Sequence, residues 1–221
     1  MKLLLNAFVK YLCGLLLAGL LLFLPAGTLR YPGGLAFLML LFIPMLILGV
    51  ALFVKEPALL KKRLKGREGE KSQRKVVGLS ALMFLAGFVL AGLDYRFGWS
   101  HLPDWLIRCA SILLLVSYAL YGEVLRENTW LSRTVEVQEN QTVVDTGLYG
   151  IVRHPMYAVT TALFLSMPLV MGSFWSFLVF LVYPALLVKR IRNEEQLLLA
   201  ELPGYDAYCR KVRWRMFPGI W

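Results

Sequence analysis

The sequence predicts an all-α, polytopic membrane fold of about six spanning segments, and three observations carry that expectation. The chain is 58% hydrophobic and 13% aromatic over 221 residues, outside the range of soluble domains. Its charge is gathered into a few blocks that separate long uncharged runs. The longest of these, Pro155 to Val188, is 34 residues and would measure roughly 50 Å as one helix, too long for one crossing and too short for two full ones.

The other uncharged runs are Tyr11 to Leu29, Tyr31 to Val54, Val76 to Leu93 and Cys109 to Gly122, the last extending back through Arg108 to Trp105. A crossing needs roughly 20 residues, so each run spans once. The first is too long for a signal peptide and lacks a small-residue cleavage pattern beside it, which makes it a retained anchor. Lys2 and Lys10 flank it, whereas the connection from Pro25 to Gly34 carries only Arg30. Lys55 to Lys75 then holds nine basic residues against Glu56, Glu68 and Glu70, which by the positive-inside rule makes this loop, and with it both termini, cytoplasmic. The organisation that follows is two helices over 1–54, a basic loop over 55–75, two helices over 76–122 and a functional region over 123–221.

Within the basic loop, Leu59, Leu60 and Leu64 form one face of a short interfacial helix after Pro57, with the basic side chains reaching anionic headgroups. The net charge of +10 raises nucleic acid as a rival partner. The basic residues are juxtamembrane and no aromatic or Gly-rich nucleic-acid pattern accompanies them, which argues against it. Cys13, Cys109 and Cys209 are far apart, with no spacing for a metal site or a disulfide framework.

The third helix leads out to a turn over Asp94 to Asp104, with Trp99, His101 and Trp105 at interface depth. The fourth returns to a polar segment, Glu123 to Gln141, whose end alternates, so that Val135, Val137 and Gln138 read as a short extended piece. In the long final run, Met171-Gly172-Ser173 lies at the middle and predicts a tight hairpin with two short arms.

The polar stretch from Gln141 to Tyr157 precedes that hairpin. Asp145-Thr-Gly147 is a turn signal, and Pro155 pushes His154 out of helical geometry while opening a helix itself. Arg153 and His154 are thereby set at a membrane edge, costly unless something polar docks there. The plain alternative is that Arg153 reaches headgroups and His154 caps a helix. After the hairpin, Arg190 and Glu194 are four apart on one helix face, close to where the first arm begins. Two charged sets thus converge on one pocket beside apolar helices, which suits a soluble cofactor meeting a lipid-soluble substrate. A transporter or lipid-binding scaffold is the competing class, and the absence of an internal repeat, with polar residues at one membrane face, weighs against a transporter.

The combination G-L-Y-x-x-x-R-H-P-x-Y (Gly147 to Tyr157), an apolar hairpin, R-x-x-x-E-E (Arg190 to Glu195) and G-Y-x-x-Y (Gly204 to Tyr208) resembles the isoprenylcysteine carboxyl methyltransferase family, which has phospholipid N-methyltransferases as relatives. The resemblance covers Lys55 to Trp221. It implies an S-adenosylmethionine site without a Rossmann domain, and no G-x-G-x-x-G follows a strand here. By that resemblance Gln138, Gln141, Thr142, Val143 and Val144 line the cofactor and Tyr149 packs on it. His154, Pro155 and Tyr157 contact it from the hairpin start, Glu194 and Glu195 meet its polar end, and Arg190 holds the acceptor's carboxylate. Tyr205 and Tyr208 pack over the site. A carboxylate acceptor is already ionised and needs an orienting cation, whereas an amine needs a base such as His154, Glu194 or Glu195.

Overall fold

The computed structural model describes residues 2–64, 71–132 and 136–221, apart from the side chains of 71–73. Glu68, Glu70 and Val135, named above, and the basic-loop residues Lys65 and Arg67 lie outside the described residues.

Two helices, α1 (Lys2–Ala26) and α2 (Pro32–Lys55), open the chain. α1 begins well before the uncharged run and carries Lys2 and Lys10 within it, the Lys10 ammonium donating to the Leu64 carbonyl at 2.6 Å. Pro32 starts α2 because its missing N–H is one of the unpaired groups at a helix N-terminus in any case. The basic loop is in large part helical. A short helix, α3 (Pro57–Arg63), does follow Pro57, with Leu59 and Leu60 buried within the protein and Leu64 just past its end, and α4 (Lys71–Phe97) already starts inside the basic stretch.

α4 also runs past Asp94, which the sequence places at the start of an external turn. Asp94 is buried inside the helix end, because Ser100 and Ser173 satisfy its carboxylate: the Ser100 N–H donates at 2.7 Å, the Ser100 hydroxyl at 2.6 Å, and the Ser173 hydroxyl donates as well. α5 (Asp104–Glu127) returns.

The hairpin is present, with unequal arms. α6 (Pro155–Val170) is 16 residues, about 24 Å long, and stops at a turn where Gly172 has φ +78°, a conformation that favours glycine. The return arm consists of α7 (Phe174–Phe180) and α8 (Val182–Glu201), separated only by Leu181. It is not short: it continues through the charged residues after Val188, so Arg190, Glu194 and Glu195 all lie on helix. A last short helix, α9 (Tyr205–Lys211), precedes a non-helical strap over 212–217.

Among the described residues, five helical stretches, Lys2–Ala26, Pro32–Lys55, Arg74–Phe97, Asp104–Glu127 and Phe174–Glu201, are long and apolar enough to cross a membrane, and α6 is a shorter apolar helix among them. Large side chains such as Leu5, Leu20, Leu24, Ile47, Leu82 and Ile112 face outward, as a lipid-facing surface allows. The chain is a multi-pass membrane protein. α6 packs along α5 and against α2, α7 and α8, and α4 packs along α1 and α7. This arrangement shields the short arm behind longer helices. Leu22, Phe37, Leu114, Val170, Phe180 and Ile191 fill the resulting core.

Candidate active site

A cavity of about 820 Å³ lies within the bundle, polar at the end near α3 and α9 and apolar deeper in. The turn over Gly147–Gly150, a single 3₁₀ turn, sets its polar mouth. Gly147 has φ +52°, and a side chain there would meet the Glu127 carboxylate carbon at 2.8 Å. Glu127 in turn accepts from the Thr146 hydroxyl at 2.8 Å. The D-T-G signal therefore folds as a turn pinned onto the end of α5, and it buries Tyr149 with its ring in the cavity wall. Lys211 donates to Asp145 at 2.6 Å, holding that carboxyl below its ordinary range and tying α9 to the same turn.

Arg153 and His154 are buried rather than extended to headgroups. Their backbone N–H groups donate to the Trp214 and Arg215 carbonyls at 2.9 and 2.8 Å, so the strap over 212–217 lies against the start of α6. The Arg153 guanidinium donates through Nε to Glu195 Oε1 at 2.7 Å and through one terminal nitrogen to the Val212 and Arg213 carbonyls at 2.8 and 2.9 Å. Glu195 also meets His154 Nε2 at 3.3 Å and accepts from Arg215 Nε at 2.6 Å. One carboxylate thus joins α8, the helix start and the strap. His154 stands at the N-terminus of α6 without a side-chain capping bond there.

The reactive-looking set is adjacent. Arg190 Nε donates to the Tyr157 hydroxyl at 3.0 Å, and that hydroxyl donates to Glu194 Oε2. The phenol from α6 bridges a cation and a carboxylate one turn apart on α8, and all three line the cavity.

Of the residues singled out in the sequence, Gln141, Thr142, Val143, Val144, Tyr149, His154, Tyr157, Arg190 and Glu194 line this single cavity. Gln138, Pro155 and Glu195 do not. Gln138 turns away, its amide donating to the Trp130 carbonyl while its backbone N–H donates to Gln141 Oε1 at 2.9 Å. Pro155 is the first residue of α6, where its part is conformational. Glu195 is consumed by Arg153, Arg215 and His154. Its neighbour Glu194 faces the cavity because a one-residue step turns a helix by about 100°.

The sequence reading placed Tyr205 and Tyr208 over the site as packing, and both line the cavity. Tyr208 donates to the Tyr149 carbonyl at 2.7 Å, whereas the buried Tyr205 and Tyr149 hydroxyls have no partner among the described residues. Burial pushes the Tyr149, Tyr205 and Tyr208 phenols well up, so they stand as neutral donors. Two unsatisfied phenols, a carboxylate and the polar 141–144 segment beside apolar walls fit a ligand that has an aromatic base, hydroxyls and a charged amino-acid end. S-adenosylmethionine is such a ligand. Sequence reasoning missed Arg215, which the alternation of basic and aromatic residues in Arg213-Trp214-Arg215 does not distinguish, and Arg63, discussed below.

The deeper cavity wall is apolar. It takes Phe42 and Met45 from α2, Phe84 from α4, Tyr118 from α5, Leu163 from α6 and Leu187 from α8. Residues 106–202 match the family model of phospholipid methyltransferases, a stretch running from α5 through the hairpin to the end of α8. The comparison with curated proteins found no match.

Proposed function

We propose that this chain, whose residues 106–202 match the family model of phospholipid methyltransferases, uses S-adenosylmethionine to methylate the head of a lipophilic acceptor, an isoprenylcysteine-like carboxylate in the first instance. The observation that carries the reading is the single cavity that puts Arg190, Tyr157 and Glu194 at the end of an apolar chamber. The cofactor, when bound, supplies an electrophilic methyl on a sulfonium.

The chain's own residues hold and align. Glu194, Tyr149, Tyr205 and the 141–144 segment hold the cofactor, with Glu194 suited to its ammonium by charge. Arg190 orients the acceptor carboxylate through its planar fork, and Tyr157 keeps the guanidinium and Glu194 in fixed relation. A carboxylate is ionised at neutral pH and attacks without a base, so alignment and exclusion of water are what the pocket contributes. The apolar walls accommodate the acceptor tail, which enters laterally from the bilayer. The basic character of α3 and the residues around it supports a cytoplasmic site by the positive-inside rule.

One observation favours a second reading, N-methylation of a phospholipid amine. His154 lines the cavity and is backed by Glu195 at 3.3 Å, a pairing able to take the proton an amine must lose. Hydrophobic thiols form a further acceptor class for the same pocket.

The test is transfer from labelled S-adenosylmethionine by the purified chain in lipid, with a prenylated cysteine, a phosphatidylethanolamine and a hydrophobic thiol offered separately. Base-labile product with the first, lost in Arg190→Ala, supports carboxyl methylation. Label in the amine, lost in His154→Gln, replaces it with the second reading. Failure to bind S-adenosylmethionine at all sinks both and moves the chain to the scaffold class.

A further inference from the structure

We infer that Arg63, on the short basic helix α3, is an oxyanion-holding residue of the cavity and takes the carboxylate or phosphate of a bound ligand; the inference rests on the methyltransferase reading of the same cavity. In sequence Arg63 is one of nine basic residues between Lys55 and Lys75, indistinguishable from a topology signal. The structure separates it from its neighbours. Lys61 is exposed, and Lys62 reaches the Thr129 carbonyl at 3.2 Å and lies 5.2 Å from the Trp130 ring. Arg63 instead lines the cavity, in company with Tyr121 and Tyr149.

Its partners among the described residues are uncharged. One terminal nitrogen donates to the Ser132 carbonyl at 3.1 Å and the other to the Tyr121 hydroxyl at 2.5 Å. The guanidinium carbon lies 5.7 Å from the Tyr121 ring. A guanidinium has five N–H groups, and no carboxylate pairs with this one among the described residues. Arg153 and Arg215, by contrast, both pair with Glu195. A half-buried cation with spare donors and no carboxylate partner among the described residues is unfavourable until an anion arrives, and the planar fork matches a carboxylate or phosphate.

The group is also held in place. Leu59, four residues earlier, is buried against Val124, Leu125, Tyr149 and Met156, which anchors α3 to the cavity wall. Ser132 and Tyr121 then fix the head, so little side-chain freedom is lost when a ligand binds. The Tyr149 hydroxyl in the same wall, without a hydrogen-bond partner among the described residues, adds a second donor. Two ligands supply an oxyanion here: the amino-acid end of the cofactor and the acidic head of the acceptor.

The experiment compares wild type, Arg63→Gln and Arg63→Lys, full-length in lipid, by S-adenosylmethionine binding and by the KM of an acidic and an uncharged thiol acceptor, with thermal midpoint recorded. A Kd for S-adenosylmethionine raised tenfold or more in R63Q, and a few-fold in R63K, assigns the cofactor carboxylate. An unchanged Kd with a tenfold rise in KM for the acidic acceptor alone assigns the acceptor head. If R63Q does not fold, R63K decides, since loss of the fork still raises one of these constants. Equal loss of midpoint and of every affinity, or no change in any, overturns the inference and leaves Arg63 as a staple between α3 and the 128–132 segment. A wild type that binds no S-adenosylmethionine overturns the methyltransferase reading and this inference with it; wild-type binding and transfer, unmoved by R63Q, overturn this inference alone.

Discussion

The two ends of the bundle both bury charge, and they do so to different ends. At the hairpin turn, Asp94 accepts from Ser100 and Ser173, Ser176 donates to the Gly87 carbonyl at 2.8 Å, and Tyr31 donates to the Met171 carbonyl at 2.6 Å. These groups bond one another, and the smaller hollow of about 420 Å³ beside them meets a carboxylate already saturated. At the opposite end, Glu195 is equally saturated by Arg153, His154 and Arg215, yet one residue away Glu194 opens onto the large cavity with Tyr205 and Tyr149 hydroxyls that lack partners among the described residues. Burial of polar groups therefore does not mark the site; unspent hydrogen-bonding capacity facing a cavity does.

The contrast yields a ranked set of outcomes. Glu195→Ala should have the largest effect on stability, roughly 3–5 kcal/mol, because it leaves buried cations without their carboxylate, read as a collapse of the thermal midpoint in detergent. A stable variant that has lost only cofactor affinity would erase the distinction between the two glutamates. Glu194→Ala should do the reverse, raising the Kd for S-adenosylmethionine by about two orders of magnitude, ~3 kcal/mol, with the midpoint preserved. Unchanged affinity in that folded variant refutes the pocket assignment.

At the far end, Asp94→Asn replaces an acceptor that serves three donors and should cost about 1–2 kcal/mol of stability with no change in cofactor binding. A weakened Kd there would show that the two ends are coupled. Tyr205→Phe should weaken S-adenosylmethionine binding by roughly three- to tenfold, the worth of one neutral hydrogen bond, without lowering the midpoint. The smallest effect is expected at Asp145 and Lys211, an exposed pair. Its contribution is present above the unfolded carboxylate range and lost only as pH falls through the depressed folded value. Midpoints of wild type and Lys211→Met should therefore track each other between about pH 6 and 8.

Much of this was legible in the chain. Uncharged runs long enough to cross a bilayer announce themselves, and so did the hairpin, because 34 uncharged residues with a Gly at the centre fit neither one crossing nor two. Nine of the twelve residues singled out for the site, Arg190 and Glu194 among them, share one cavity. What the sequence hid are the choices between neighbours. Glu194 and Glu195 are identical in type, and only the rotation of α8 and the position of the strap decide which is a buried counter-ion. Asp94 next to an aromatic-rich loop looked like a turn because its serine partners, Ser100 and Ser173, come from two separate places in the chain. Arg63 was hidden among its basic neighbours for the same reason: its partners, Tyr121 and Ser132, are remote.

The strap has a consequence for the order of folding. Arg153 and His154 pair through their backbones with Trp214 and Arg215, about 60 residues downstream, and Glu195 joins the same knot. Helices α1 to α5 are complete before any of that sequence exists on a growing chain. Closing so long a loop is entropically slow, and Arg153 has no internal counter-charge until α8 follows it. The first four spans are thus the early product of biogenesis, and the polar end of the cavity is finished last, by the end of α8 and the strap that follows it. A chain cut ahead of Val212 would keep its spans and lose the knot that holds the R-H-P corner in place.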